Sequence, residues 1–161
     1  MSGFLMVLTV TAILIHLFLM EKKSLKKIVE VALLYMLVIM LGVGAMAVGA
    51  LHILAGPEIA ARIGWMSGSP FQFEVGAADI ALGFVCFLCL FFRGPFWLAA
   101  ILGQCTFLFL CMIGHVRDYL SAGNVAAYNI GWPIILADVV TPFILISLYI
   151  AHRKFENNSP S

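Results

Sequence analysis

SPFQFEVGAADIALG, residues Ser69–Gly83, is the stretch whose reading decides the fold. Ser69 is placed to cap a helix, Pro70 to take the first helical position, and Gln72 to reach back and complete a capping box. The rest is apolar except for two carboxylates, Glu74 and Asp79. At about 1.5 Å of rise per residue these lie roughly 6 Å and 14 Å inside the helix start. At about 100° per residue they point about 140° apart, towards different neighbours. Asp79 shares its stripe with Gln72, Gly76, Gly83 and Cys86, while Glu74 shares one with Ala78 and Ala81. Small residues on both faces let other helices come close, so this helix is expected at the centre of a bundle.

Composition says what kind of bundle. Of 161 residues, 63% are hydrophobic and 11% charged, against ~25% charged in a soluble chain. Several apolar runs exceed the ~18 to 20 residues needed to cross a bilayer, which predicts an all-α integral membrane protein. A net charge of +1 gives no reason to expect a nucleic-acid partner. The first run lacks a basic flank before it and an A-x-A-type end, so it reads as a retained helix and not a cleaved signal.

Five spans follow, at about 3–20, 29–54, 70–92, 96–116 and 131–151, in a single transmembrane domain over 1–151 with a solvated cytoplasmic tail over 152–161. A tight turn at Arg93-Gly94-Pro95 joins the third to the fourth, and polar connections occupy Ala55 to Gly68 and Arg117 to Ile130. Placing the N-terminus outside puts Lys22, Lys23, Lys26, Lys27, Arg93, Arg153 and Lys154 inside, leaving only Arg62 and Arg117 outside. The positive-inside rule therefore favours N-out and C-in. Trp65, Tyr119, Tyr128 and Trp132 then form an outer aromatic belt.

In that frame the unusual residues gather on the outer side. His52 ends the second span, Glu74 and Asp79 occupy the outer half of the third, and Gln104, Cys111, His115 and Asp118 form one stripe of the fourth. In the fifth, Asp138 precedes Thr141-Pro142, and Pro142 cannot donate to the Asp138 carbonyl, so a kink is expected there. Intramembrane acids cost roughly 2.5 to 3.5 kcal/mol each on insertion scales and face the bundle interior or a wet cavity. Glu74, His115 and Asp138 are expected to share an outer cavity, with Asp79 and Asn129 at its margin. Structural roles stand beside this: Glu74 paired with Arg62 or Arg117, His52 and His115 as helix C-terminal caps, the two aspartates bonded within the bundle, and His16 as packing.

Cys86 and Cys89 form a C-x-x-C, readable as a redox pair or as small buried hydrophobes. Gly42, Gly44, Ala45, Ala47, Gly49 and Ala50 supply the second span with a small-residue face. An echo runs between His52 followed by Ile63-Gly64-Trp65 and His115 followed by Ile130-Gly131-Trp132. It is read as two helical hairpins forming the core, with the first span added at the side.

The pieces IGWMSGSPFQFEVGAADIALG (Ile63 to Gly83), GHVRD (Gly114 to Asp118) and GNVAAYNIG (Gly123 to Gly131), with Asp138 and Pro142, resemble a family of small bacterial and archaeal membrane proteins, domain of unknown function 6790. The resemblance covers about the last two-thirds of the chain. It differs at Asp79, where the family pattern has Asn, and at Ala127-Tyr128, where it has Pro-Gly. It implies a cytoplasmic (inner) membrane location and points to Glu74, His115, Asn124, Asn129 and Asp138, but it brings no known activity and no cofactor.

Three function classes remain open. An outer cavity of Glu74, His115, Asp138, Asp79, Asn129, Asn124 and His52 would bind or transport a small cation, a proton or a polar solute. A membrane enzyme would use Glu74, His115 and Asp138 around a metal, or the cysteines for thiol chemistry. An accessory subunit would use its small-residue faces within a homo-oligomer or a larger membrane complex. No metal-ligand spacing such as H-E-x-x-H appears, which weakens the second.

Overall fold

The computed structural model describes residues 2–157. Its regular elements are all helices: α1 (Ser2–Leu19), α2 (Leu25–Leu54), α3 (Gly56–Ile63), α4 (Phe71–Leu88), α5 (Pro95–Ala122) and α6 (Trp132–Asn157). All but α3 are long and apolar enough to cross a membrane, five helices in the expected order. Large apolar side chains such as Phe18, Leu102, Leu110, Ile113 and Phe143 stand exposed around the outside, as a lipid-facing surface requires. One end of the bundle carries Lys22, Lys23, Lys26, Lys27, Arg93, Arg153 and Lys154, and is called here the basic end; the N-terminus lies at the other.

Local chemistry explains where the boundaries move. α4 stops at Leu88, short of the expected 92, because the chain tightens into a turn in which Trp97 Nε1 donates to Cys89 O at 3.0 Å. Gly94 then takes a positive φ of 62° and Pro95 opens α5. α6 runs to Asn157, where a frayed tail from residue 152 was expected. His152 is buried with its ring 5.4 Å from that of Trp97, and Arg153 pairs with Glu156 at 2.9 Å, which holds the last turns. The remainder of the expected tail, 158–161, lies outside the described residues.

α3 replaces part of the expected polar connection. It is amphipathic, burying Ala60 and Ile63 while Glu58 and Arg62 stay exposed. It ends in a Schellman motif: Trp65 N donates to Ala60 O at 2.9 Å and Gly64 N to Ala61 O at 3.2 Å, with Gly64 at a φ of 84°. That left-handed turn aims Trp65 back at the bundle.

α2 and α4 pack backbone against backbone. A Cβ on Gly49 would lie 2.5 Å from Gly76 O, one on Gly76 would lie 2.6 Å from Gly49 O, and one on Gly83 would lie 2.9 Å from Gly42 O. Gly42 and Gly49 on α2, and Gly76 and Gly83 on α4, are each seven residues apart, so one seam runs along two turns of both helices. The seam uses Gly42 and Gly49 of the expected small-residue face and sets them against Gly76 and Gly83 of the Asp79 stripe. α1 is marginal: only Leu5 and Thr9 of it are buried.

Two π-helical stretches interrupt the spans. The one at Ile135–Val140 of α6 is the form taken by the distortion expected before Pro142, with Thr141 Oγ1 donating to Leu136 O at 2.8 Å. The one at Met36–Val43 of α2 contains no proline and has no counterpart in the sequence reading; it ends next to Gly42, whose Cα approaches the Phe87 backbone. The apolar core (Leu33, Leu37, Met40, Trp97, Ile101, Leu145) fills the half towards the basic end.

Candidate functional site

Two sets of buried polar side chains bear on a site, and the first closes on itself. His115, near the end of α5, meets Asn129 of the α5–α6 connection, with Nδ1 and Oδ1 2.8 Å apart. Asn129 Nδ2 donates to Asn124 O at 2.9 Å and to His115 O at 3.4 Å. Its Oδ1 is therefore the acceptor, and His115 Nδ1 carries the proton. Asn124 Nδ2 donates to Asp118 Oδ2 at 2.7 Å and to Ile63 O at 2.9 Å, and Asn124 Oδ1 accepts from Ala126 N. Trp65 Nε1 donates to the same Asp118 oxygen at 3.0 Å, and its ring stacks on His115 at 5.5 Å and 13°.

These bonds tie the α3–α4 connection to the α5–α6 connection. They also explain Gly64, since a Cβ there would lie 2.6 Å from Asn124 Oδ1. Asn129 has no exposed surface and His115 is 7% exposed, so the set is a closed lock between two loops. His52 belongs to a smaller version of the same device: its Nδ1 lies 2.6 Å from Gln72 Oε1. Gln72 thus does not complete a capping box; it is buried and faces α2, while Ser69 Oγ accepts from Phe71 N alone. Neither histidine caps its own helix by side chain; each bonds across to an amide.

The second set is open. Asp79 of α4 and Asp138 of the α6 π turn are 7% and 6% exposed, yet neither carboxylate has a hydrogen-bond or ion-pair partner among the described residues. Both lie on segments that pack against α5, Asp79 on α4 and Asp138 in the π turn of α6. Gln104 stands on the same α5 face as Cys111, about two turns away. Gln104 is 1% exposed and its Nε2 has no partner, while its Oε1 receives only a long 4.0 Å contact from Cys86 Sγ. Among the described residues no hydrogen bond links this set to the lock.

Glu74 joins neither set, which corrects the expectation of one cavity shared by Glu74, His115 and Asp138. It is exposed on α4 and forms no ion pair with Arg62 or Arg117. The stripe carrying Gln72, Gly76, Asp79 and Gly83 is the one that packs on α2, and Glu74, about 140° round the helix from Asp79, is turned away from it. The cysteines are free thiols; Cys86 and Cys89 are buried, and Cys89 Sγ donates to Val85 O. Among the described residues no three His, Cys, Asp or Glu side chains are placed to hold a metal ion.

Sequence reasoning missed partners more than sites. Asp118 and Gln104 were visible only as members of the α5 stripe, Trp65 as a belt residue, and Tyr35, which bonds His16 Nδ1 at 3.0 Å, not at all. The repeated I-G-W after each histidine was the available signal for Trp65.

A family model described as "Family of unknown function (DUF6790)" matches residues 1–158. The chain belongs to this family, and the match extends the resemblance over nearly its whole length. No match was found among curated proteins or solved structures.

Proposed function

We propose that this member of the DUF6790 family is a multi-pass protein of the cytoplasmic membrane that exchanges a proton for a small monovalent cation at Asp79 and Asp138. The observation that carries the reading is that two buried carboxyls, Asp79 and Asp138, have no hydrogen-bond or ion-pair partner among the described residues. Carboxylates held in an apolar bundle need a counter-charge, and a proton or a bound cation supplies it at the same oxygens. The two therefore compete for one site. The π turn at Asp138 leaves irregular backbone beside that carboxyl, and α5 packs against it. His115, Asn124 and Asn129 act one step removed, by holding the connections that fix α4, α5 and α6.

The reading takes the N-terminus outside, supported by the bias of Lys and Arg towards the basic end. It also takes α2–α4 and α5–α6 as two hairpins with α1 added. What supports this is the parallel between His52 bonding Gln72, in the first turn of the next span, and His115 bonding Asn129, in the connection to the next span.

The test uses purified protein in liposomes carrying a trapped pH dye, pulsed with Na+, K+ or Li+. Wild type is expected to move protons in response to at least one of them. Asp138→Asn and Asp79→Asn are each expected to abolish the response while the protein still folds. A wild type silent to all three cations, or an Asp138→Asn variant that still responds, overturns the proposal. Orientation is checked separately in a background without native cysteines. Ser121→Cys should label from outside and Lys22→Cys only after permeabilisation.

A further inference from the structure

A second region, at the basic end and away from the carboxyl pair, has the form of a ligand site. Between α1 and the start of α2 lies an open groove of about 440 Å³, walled by Ala12, Ile15 and Leu19 and floored by His16, Met20 and Tyr35. It runs into a second hollow of about 360 Å³ that shares His16 and Met20 and adds Lys27, Glu30 and Arg93. The two together pass from an apolar face of α1 to a cationic mouth.

Each part is held in place. Arg93 lies 4.7 Å over the Trp97 ring and 3.4 Å from Glu30, so its guanidinium stands at the mouth without having to be ordered on binding. Lys27 is exposed beside it and, among the described residues, pairs with no carboxylate. Deeper, His16 and Tyr35 are bonded through Nδ1 and the hydroxyl at 3.0 Å and meet edge to face, which props α1 away from α2. Whichever of the two donates in that bond, the pair keeps one further N–H or O–H donor, His16 Nε2 or the Tyr35 hydroxyl.

We infer that this groove binds one anionic diacyl phospholipid, its phosphate between Lys27 and Arg93 and one acyl chain against Ala12, Ile15 and Leu19. Charge and polarity run in the order a lipid needs. Two cations and one acid leave the mouth net positive, and Lys22, Lys23 and Lys26 extend the positive field around it. Basic hollows between membrane helices on the cytoplasmic side suit such headgroups. The wall from Ala12 to Leu19 runs along α1 for roughly 10 Å, about two helical turns, away from the cations and into the span. A water-soluble phosphate would leave that wall bare, so the lipid is the occupant that uses both parts. His16 and Tyr35 sit where the ester and glycerol oxygens would lie.

Native mass spectrometry of the detergent-purified full chain tests this, with phosphatidylglycerol, phosphatidylcholine or soluble glycerol 1-phosphate added at equal concentration. One phosphatidylglycerol is expected to remain bound, at least tenfold more than phosphatidylcholine. Lys27→Ala should cut that retention at least fivefold, and Arg93→Lys, which keeps the charge, should cut it less. Glu30→Gln removes the only acid at the mouth and should raise it. Lys154→Ala, on the far side of the sequence but equally basic, should leave it unchanged. Should Arg93→Lys prove unstable, Lys27→Ala and Glu30→Gln still decide, since an exposed lysine and an isosteric amide leave the fold intact. Equal retention of the two lipids, displacement by glycerol 1-phosphate, or equal effects of Lys27→Ala and Lys154→Ala would overturn the inference.

Discussion

The loop lock and the carboxyl pair are built from the same kinds of residue and behave in opposite ways. Around His115, Asn124 and Asn129 every polar atom that is buried finds a neighbour, and the set joins two connections at the N-terminal end. At Asp79 and Asp138 burial is just as deep, and among the described residues neither carboxylate has a hydrogen-bond or ion-pair partner. Asp118 shows that burial alone is not the difference: its carboxylate, half-buried, receives both Trp65 Nε1 and Asn124 Nδ2. A polar cluster saturated by its own chain is a fastener, because nothing is left to bind with. One left unsaturated is either a cost or a site.

Three substitutions sharpen or break that contrast. The largest effect is expected at Asn129. Asn129→Ala strips His115 Nδ1 and two carbonyls of partners in a fully buried place, and should destabilise the protein by about 2 kcal/mol. Thermal unfolding in detergent would read it as a clear drop in Tm, and an unchanged Tm would remove the lock from the comparison. Next is Asp138→Asn, measured the same way. An amide needs no counter-charge, so stability should rise by about 1 kcal/mol even as the exchange activity is lost. A marked loss of stability would mean that Asp138 is a fastener after all. Smallest is Glu74→Gln, which changes an exposed side chain and should shift stability by less than about 0.5 kcal/mol with exchange intact. Lost exchange with normal folding would return Glu74 to the site.

Much of the scaffold was legible because each signal was local. Apolar run length fixes the number of spans, Gly94-Pro95 fixes a turn, and Pro142 marks a helix irregularity whose place is right although its form is a π turn. α3 was missed for a reason of the same kind: eight residues are too short for a periodic pattern to stand out, and its C-terminal signal, Ile63-Gly64-Trp65, reads equally well as a loop.

What the sequence by itself determined, then, is the all-helical, five-span architecture, the asymmetry of charge between the two ends, and the depth of Asp79 and Asp138, since all of these follow from spacing along one helix or one run. Which acids meet was decided only by the tertiary structure. The rotation of α4 is set by the glycine seam with α2, where Gly42 and Gly49 approach Gly83 and Gly76 too closely for any side chain. That single contact turns Asp79 inward and Glu74 outward. Partner choice for His52, His115 and His16 likewise depends on residues 20, 14 and 19 positions away, at distances that exist only once the helices have packed.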